Sequence, residues 1–350
     1  MAKNTVGLDI SSTSIRGVEV ADAHGPRPTV VRIAEVPTPE GAASRGEVLE
    51  PNTVAGALKE LWSIGRFRSK NVVLGMGNQR VLSRDLTVPK APMAQIRQSL
   101  PFQVQDMLPV PVGDAILDFY PTSEGTGESG LVLNGLLVAA VKDAVLANVR
   151  AVQQAGLNPV GVDLIPFAMT RALITRPGHR GTVALIELGA ETTSVVIALD
   201  GVPQFVRIIP TGGEDVTKRL ATSLDIHRDQ AELVKRHLGI AGDGRTPDDL
   251  RAMTLTQDAI AELLSSLRNT VNYYVNTRPT ERVDQIVIVG GGSRLQGLPQ
   301  SLAAATGLPV VVGDAFQGAV LGRNVRPQDI AERGHDVAVA YGLAIGSRAA

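Results

Sequence analysis

Apolar residues in this chain gather into short runs, some alternating and some at helical spacing, and two of the runs read as copies of each other. The first is Val6-Gly7-Leu8-Asp9-Ile10-Ser11-Ser12-Thr13-Ser14, continuing through Ile15-Arg16-Gly17-Val18-Glu19-Val20. The second is Ala184-Leu185-Ile186-Glu187-Leu188-Gly189-Ala190-Glu191-Thr192-Thr193-Ser194, continuing through Val195-Val196-Ile197-Ala198-Leu199. Each predicts an apolar strand that reaches an acid, a tight turn of small and hydroxyl residues, and a second apolar strand. Counted from the acid, Ser14 and Thr192 fall at the same step.

Further strands are expected at 29–35, 71–75, 81–88, 116–120, 131–141, 160–162, 204–209 and 285–289. Helical spacing follows Asn52-Thr53, with Ala57, Leu58, Leu61 and Trp62 on one face. It recurs at 143–154 (stopped by Gly156), 166–173, from Glu214, at 230–240, 256–274 and 336–346. Residues 89–111 carry five prolines among apolar positions; Pro92 suits a first helical turn and Pro101 is expected to kink or restart the helix. A polar, glycine-rich turn is expected at 122–130 and a polar loop at 242–245. Strands alternate with helices in both halves, which predicts a duplicated α/β architecture with a cleft between the halves. The expected division is a first lobe over 1–88 and 158–186, with an inserted subdomain at 89–157. A second lobe follows at 187–335, containing a helical subdomain at 213–275, and a closing helix at 336–350.

Bulk properties narrow the function. At 350 residues the chain exceeds one ordinary compact core. It is 44% hydrophobic and 20% charged, the balance of a folded protein, and its net charge of −1 gives no global attraction to nucleic acid or an anionic membrane. The absence of cysteine excludes disulfides, zinc–thiolate sites, iron–sulfur clusters and a cysteine nucleophile. No secretory signal is read at the N-terminus, and the longest apolar stretch, around 136–141, is far short of the roughly 20 residues a spanning helix requires. A soluble, cytoplasmic protein is expected, with any membrane role exercised through a partner rather than by direct insertion.

The loops carry the candidate chemistry. Asp9 at a strand end, followed by Ser11, Ser12, Thr13 and Ser14, suits a carboxylate holding Mg²⁺ through water while turn amides grip phosphate. A plain β-turn that favours Ser and Thr fits one such hairpin equally well; the second copy favours the phosphate reading. Gly290-Gly291-Gly292, after a buried strand, suits either close approach of a flat ligand or a simple strand-to-helix turn. The next glycine, Gly297, is out of step with a Rossmann fingerprint, and no Walker A sequence occurs. Glu214 and Lys218 share a helical face after Thr211-Gly212-Gly213, as a ribose-binding pair or a solvated ion pair. His24, His179, His227, His237 and His335 lack ligand spacing, and there is no Gly-x-Ser-x-Gly elbow.

These segments together resemble the actin/Hsp70/FtsA superfamily of ATP-binding proteins, and within it the type IV pilus assembly PilM family. The resemblance rests on Gly7-Leu8-Asp9-Ile10 through Ser14-Ile15-Arg16, Leu86-Thr87-Val88-Pro89 and Leu108-Pro109-Val110-Pro111. It continues through Ala155-Gly156-Leu157 to Val162-Asp163, the second hairpin, Gly212-Gly213-Glu214-Asp215-Val216-Thr217 and Val289-Gly290-Gly291-Gly292-Ser293, in order over nearly the whole chain. It implies a duplicated actin-like (ribonuclease H-like) ATPase fold with an FtsA-type inserted subdomain. It further implies a cytoplasmic ATP-binding scaffold that docks the cytoplasmic tail of PilN, a membrane-anchored pilus protein, beside that subdomain, and that contacts the pilus motor machinery. A homo-oligomer is compatible with it.

By motif position the resemblance places Asp9, Ser11, Ser12, Thr13, Ser14 and Arg16 in a first phosphate loop, and Glu187, Gly189 and Thr192 in a second. Gly290, Gly291, Gly292 and Ser293 would lie at adenosine, and Gly213, Glu214 and Lys218 at the ribose or base. Asp9 and Glu187 would hold Mg²⁺ through water. Two departures stand out: Ser11 replaces the family's glycine, and Glu187 replaces an aspartate. No catalytic residue is assigned; Asp163, the acid nearest Pro166-Phe167-Ala168, and Glu187 are the candidates, while Ile165 directly precedes the proline. Weak or absent ATP hydrolysis is expected. Alternatives are an FtsA-like division protein, which would need an amphipathic C-terminal helix that 342–350 does not offer, a small-molecule kinase, for which no catalytic base is visible, and a vestigial site that binds no nucleotide.

Overall fold

The structure, a computed structural model, describes residues 4–128 and 130–346. The chain opens with β1 (Thr5–Ile10), β2 (Ser14–Ala21), β3 (Thr29–Pro37), β4 (Ala43–Ser44), β5 (Glu47–Val48) and α1 (Pro51–Gly65). Then come β6 (Asn71–Met76), β7 (Val81–Pro89), α2 (Met93–Gln103), β8 (Ala115–Gly127), β9 (Gly130–Val141), α3 (Lys142–Gln154), β10 (Asn158–Leu164) and α4 (Ile165–Thr170). The second half holds β11 (Thr182–Leu188), β12 (Thr193–Leu199), β13 (Val202–Ile209), α5 (Gly213–Leu224), α6 (Arg228–Leu238) and α7 (Pro247–Thr277). It closes with β14 (Gln285–Val289), α8 (Leu298–Thr306), β15 (Val310–Val312), β16 (Val320–Leu321) and α9 (Pro327–Ala344).

The two apolar hairpins become the centres of two sheets with matching connectivity. The first runs β10-β6-β1-β2-β3-β16, with β1 antiparallel to β2 and parallel to β6. The second runs β13-β12-β11-β14-β15, with β11 antiparallel to β12 and parallel to β14. Side chains alternate across each sheet. Val6, Leu8 and Ile10 pack outward into the core that holds Leu58 and Leu61 of α1 and Val152 of α3, while Ala184 and Ile186 join a core with α5 and α7. Val183 and Leu185, and Val18 and Val20 of the first sheet, share a single central cluster with α4 and α9. The small-residue helix α9 is thus a wedge between the sheets, buried throughout from Val337 to Ile345.

Between β6 and α3 the chain builds the separate small sheet β7-β9-β8, covered by α2 and cored by Val88, Ile96, Leu100, Phe119 and Leu137. Pro101 lies inside α2. Four expectations are corrected here. The glycine-rich stretch expected as a turn at 122–130 is mostly ladder, with Thr126 paired to Leu131 and Gly127 to Gly130, because polar positions on a half-solvated hairpin mimic turn composition. α7 begins at Pro247 rather than 256, started by a capping box between Thr246 and Asp249. α9 begins at Pro327 rather than 336, and α1 at Pro51. Ser129 of the expected turn, residues 1–3, and 347–350 of the closing helix lie outside the described residues. Among the described residues no helix is long and apolar enough to cross a membrane.

Candidate functional site

Alternation fixes where the two acids point. Asp9 shares its sheet face with Gly7, and Glu187 shares its face with Val183 and Leu185; both faces turn toward the α4–α9 wedge. Both carboxylates therefore line one cavity of about 520 Å³ between the sheets, and both also line a smaller hollow between the two hairpin turns.

Their electrostatics differ. Burial pushes Asp9 upward, and the Arg16 guanidinium, 3.7 Å away, pulls against that while Glu35 adds to it. Glu187 is pushed up to about 8, by burial first and then by the charge of Asp9, with Arg16 as the opposing cation. Arg16 is itself fixed by Glu35 (2.9 Å), which Arg333 of α9 holds from the other side (2.8 Å). Among the described residues no group of three or more metal-ligating side chains assembles, so a cation here would rely on water and ligand oxygens beside the two carboxylates.

The first turn is closed by its own serine. Ser11 Oγ donates to the Ser14 carbonyl (2.9 Å) and accepts from the amides of Ser14 (3.1 Å) and Thr13 (3.4 Å). Two amides that a glycine at this position would leave unengaged by a side chain are thereby taken up. Thr38, just after β3, donates to the Ser11 carbonyl (2.7 Å) and braces the loop. Ser11, Ser12 and Thr192 line the smaller hollow, Thr13 the larger, and Arg16 and Gly189 both. Ser14 is buried at the start of β2 and lines neither.

The glycine run behaves as a wall. Gly290 sits at φ +88°, where an added Cβ would fall 2.5 Å from the Leu188 carbonyl oxygen, so only glycine carries the chain past β11. Gly290, Gly291 and Gly292 line the large cavity, while Ser293 is buried behind them and donates to the Gly290 carbonyl (2.7 Å). Gly213 and Glu214 also line the cavity. Lys218 does not; its ammonium stands 3.6 Å from Glu191 on the second turn.

Charged side chains of the helical part line the large cavity, which Lys218 does not reach. Arg228 grips Glu214 with two bonds of 2.7 and 2.8 Å, and Lys235 donates to the Gly213 carbonyl (3.0 Å) and Thr217 (2.8 Å). Arg236, Arg294, His335 and Asp336 line the same cavity, with Arg294 and Asp336 paired at 2.9 Å. None of these was legible as site chemistry, because each reaches the cavity from a helix or turn whose local pattern is an ordinary amphipathic one. Asp163 lines neither hollow and is ion-paired with Arg171; Ile165, one step before Pro166, lines the smaller hollow.

Two sheets of matching topology, each turning an acid toward one cleft and closed by a shared helix, define an actin-like fold. Residues 7–348 match the model of the type IV pilus assembly protein PilM family, and the chain belongs to that family. The solved PilM-PilN type IV pilus biogenesis complex is similar to this chain at 28% identity and a TM-score of 0.85, over 97% of each chain. The ethanolamine utilization protein EutJ from Carboxydothermus hydrogenoformans is similar in fold at 16% identity and a TM-score of 0.59, over 99% of this chain and 91% of that one. MreB 5 of Spiroplasma citri, solved bound to AMPPNP, shares the fold at 11% identity and a TM-score of 0.56, over 95% and 98%. Cell division protein FtsA of Bacillus subtilis (strain 168) is 30% identical over 126 residues, 36% of this chain and 29% of that protein. FtsA of Neisseria meningitidis is 26% identical over 242 residues, 63% and 58%. The chain thus spans less than two thirds of these division proteins, a distant relation.

Proposed function

We propose that this chain is an ATP-binding scaffold of type IV pilus assembly that docks the cytoplasmic tail of a PilN-like inner-membrane protein in a nucleotide-sensitive way. It would work in the cytoplasm, recruited to the inner face of the membrane by that partner, and contact the pilus motor machinery. The observation that carries the nucleotide reading is the shared cleft of Asp9 and Glu187. Membership of the PilM family and similarity to the PilM-PilN complex support the partner.

The residues fit Mg²⁺·ATP. Two carboxylates at the mouths of tight turns suit a hydrated cation, and a bare glycine wall suits a flat base. Arg16, Lys235 and Arg294, each ion-paired with an acid beside it, are cations along the cavity that phosphates could recruit. Asp9 and Glu187 would hold the cation through water, and Thr13 and the open amides of the two turns would meet phosphate oxygens. Glu214, oriented by Arg228, would accept from a ribose hydroxyl while Gly290, Gly291 and Gly292 flank the adenosine. The bound cation would favour loss of the Glu187 proton, otherwise kept up to about pH 8, and offset the repulsion among the two carboxylates and the phosphates. Ile165, apolar and lining the smaller hollow, offers nothing to orient a water, and Asp163 is held by Arg171; slow or absent hydrolysis follows.

The cleft is tied to the inserted unit by covalent and polar links. The β4–β5 tip, at Arg45 and Gly46, lines the smaller hollow. Buried Asn148 of α3 holds this hairpin, accepting from the Val48 amide (2.9 Å) and donating to the Gly46 carbonyl (3.4 Å). α3 follows directly on β9 of the small sheet, so a shift of the hairpin is passed to the proposed docking unit. The test is calorimetric titration of Mg²⁺·ATP and of a PilN-tail peptide, each with and without the other, for parent and Asp9→Ala. The peptide should bind the parent with an affinity that changes when ATP is present, and Asp9→Ala should lose ATP binding while keeping the fold. Equal ATP affinity of the two proteins would reject the nucleotide site.

A further inference from the structure

Glu191, at the tip of the second hairpin, reaches across the cleft to the first sheet's lobe. Its carboxylate accepts from the Arg45 amide (2.7 Å) and from Ser44 Oγ (3.3 Å), and Lys218 approaches to 3.6 Å. Arg45 and Gly46 form the two-residue tip of the β4–β5 hairpin, both left-handed at φ +49° and +75°. A left-handed arginine is an uncommon choice for such a tip, and the conformation presents its amide to Glu191. Burial opposes ionisation of Glu191, yet the Arg45 amide and its other polar neighbours hold its carboxyl below the usual range. The smaller hollow lies under this bridge, bounded by Asp9 and Ser12 on one side and Glu187 and Thr192 on the other, with Arg45 and Glu191.

We infer that Glu191 is a built-in occupant of the outermost phosphate position, so that the site discriminates between nucleoside triphosphate and diphosphate through this one carboxylate. This rests on the nucleotide reading above, with the base and inner phosphates in the large cavity and the terminal phosphate in the small hollow. A terminal phosphate entering there meets a third carboxylate beside Asp9 and Glu187 and competes with Glu191 for the Arg45 amide. Triphosphate binding therefore requires the Glu191–Arg45 bridge to open, and opening frees the hairpin that Asn148 ties to α3. A diphosphate leaves the bridge closed.

The experiment compares affinities for ADP and for a non-hydrolysable ATP analogue, both with Mg²⁺, in parent, Glu191→Ala and Glu191→Gln. Glu191→Ala should raise the preference for triphosphate over diphosphate at least tenfold, and Glu191→Gln, which keeps the acceptor and loses the charge, should shift it part of the way. A merely structural role would move both nucleotides together. If both affinities change equally, or neither changes, while Asp9→Ala still loses binding, the discrimination by Glu191 is refuted and the nucleotide site stands. If no nucleotide binds the parent or either variant, both readings fall. Should Glu191→Ala not fold, the Glu191→Gln ratio alone decides between these outcomes.

Discussion

Gly7 lies so close against Ala340 that a β-carbon added to it would stand 1.9 Å from the Ala340 carbonyl oxygen. This approach seats α9 on β1 and brings the wedge up to the acid two residues further on. The clash is with helix backbone, which cannot rotate aside. Gly7→Ala should therefore cost about 3 kcal/mol or more, at the upper end of overpacking penalties, read by chemical denaturation. A loss below about 1 kcal/mol would mean that α9 is not pressed on β1 as described.

Glu187 should give the fold a pH dependence. Its carboxyl titrates near 4.5 when unfolded and is pushed up to about 8 when folded, chiefly by burial. Below 4.5 both states are protonated and the group costs nothing. As pH rises through that window, the native state keeps the proton longer than the unfolded chain, so stability falls until about 8 and then levels. Glu187→Gln should become progressively more stable than the parent over the same range, by about 1–3 kcal/mol at its plateau. Parallel stability–pH curves for the two proteins would contradict this.

Ser11 spends two turn amides on its own hydroxyl. Ser11→Gly should release them toward a phosphate and tighten ATP binding, by about tenfold if one to two ordinary hydrogen bonds are gained. Calorimetry distinguishes this from the opposite outcome, weaker binding, which would show that the hydroxyl shapes the loop for its ligand.

Arg228 neutralises a buried carboxylate with a paired, fork-like contact. Arg228→Ala leaves Glu214 without its cation and should destabilise by about 1–2 kcal/mol, a figure kept low because the arginine is half exposed. Arg228→Lys, which cannot make the two-pronged contact, should recover only part of it. Full recovery by lysine in thermal or chemical unfolding would show that charge alone matters.

Much of the frame was readable from local pattern. Both hairpins, the buried strands at 71–75 and 285–289 and the amphipathic helix over 143–154 stand out because apolar spacing reports directly on which side of an element is buried. Polar composition was a poorer guide: the stretch at 122–130 lies mostly on a solvated ladder, where threonine and glutamate serve as well as in a loop. Helix starts at Pro247 and Pro327 are marked by proline and a capping acid, yet the apolar stripe begins later in each helix.

The residues alone determined that Asp9 and Glu187 close equivalent strands and that each precedes a turn rich in small side chains, and they left the glycine run at 290–292 open between close approach and a plain turn. That is local information, set by period-two alternation and by what a missing Cβ permits. The press of Gly7 on Ala340 came only with the fold. Only the folded molecule decided that the two acids share a cleft, because that depends on both sheets packing their corresponding faces on one wedge, α9, distant in sequence from either strand. The same holds for Arg228 and Lys235, and for the reach of Glu191 to Arg45, 146 residues earlier. Such contacts arise from how finished elements stack, and no pattern within a single element encodes them.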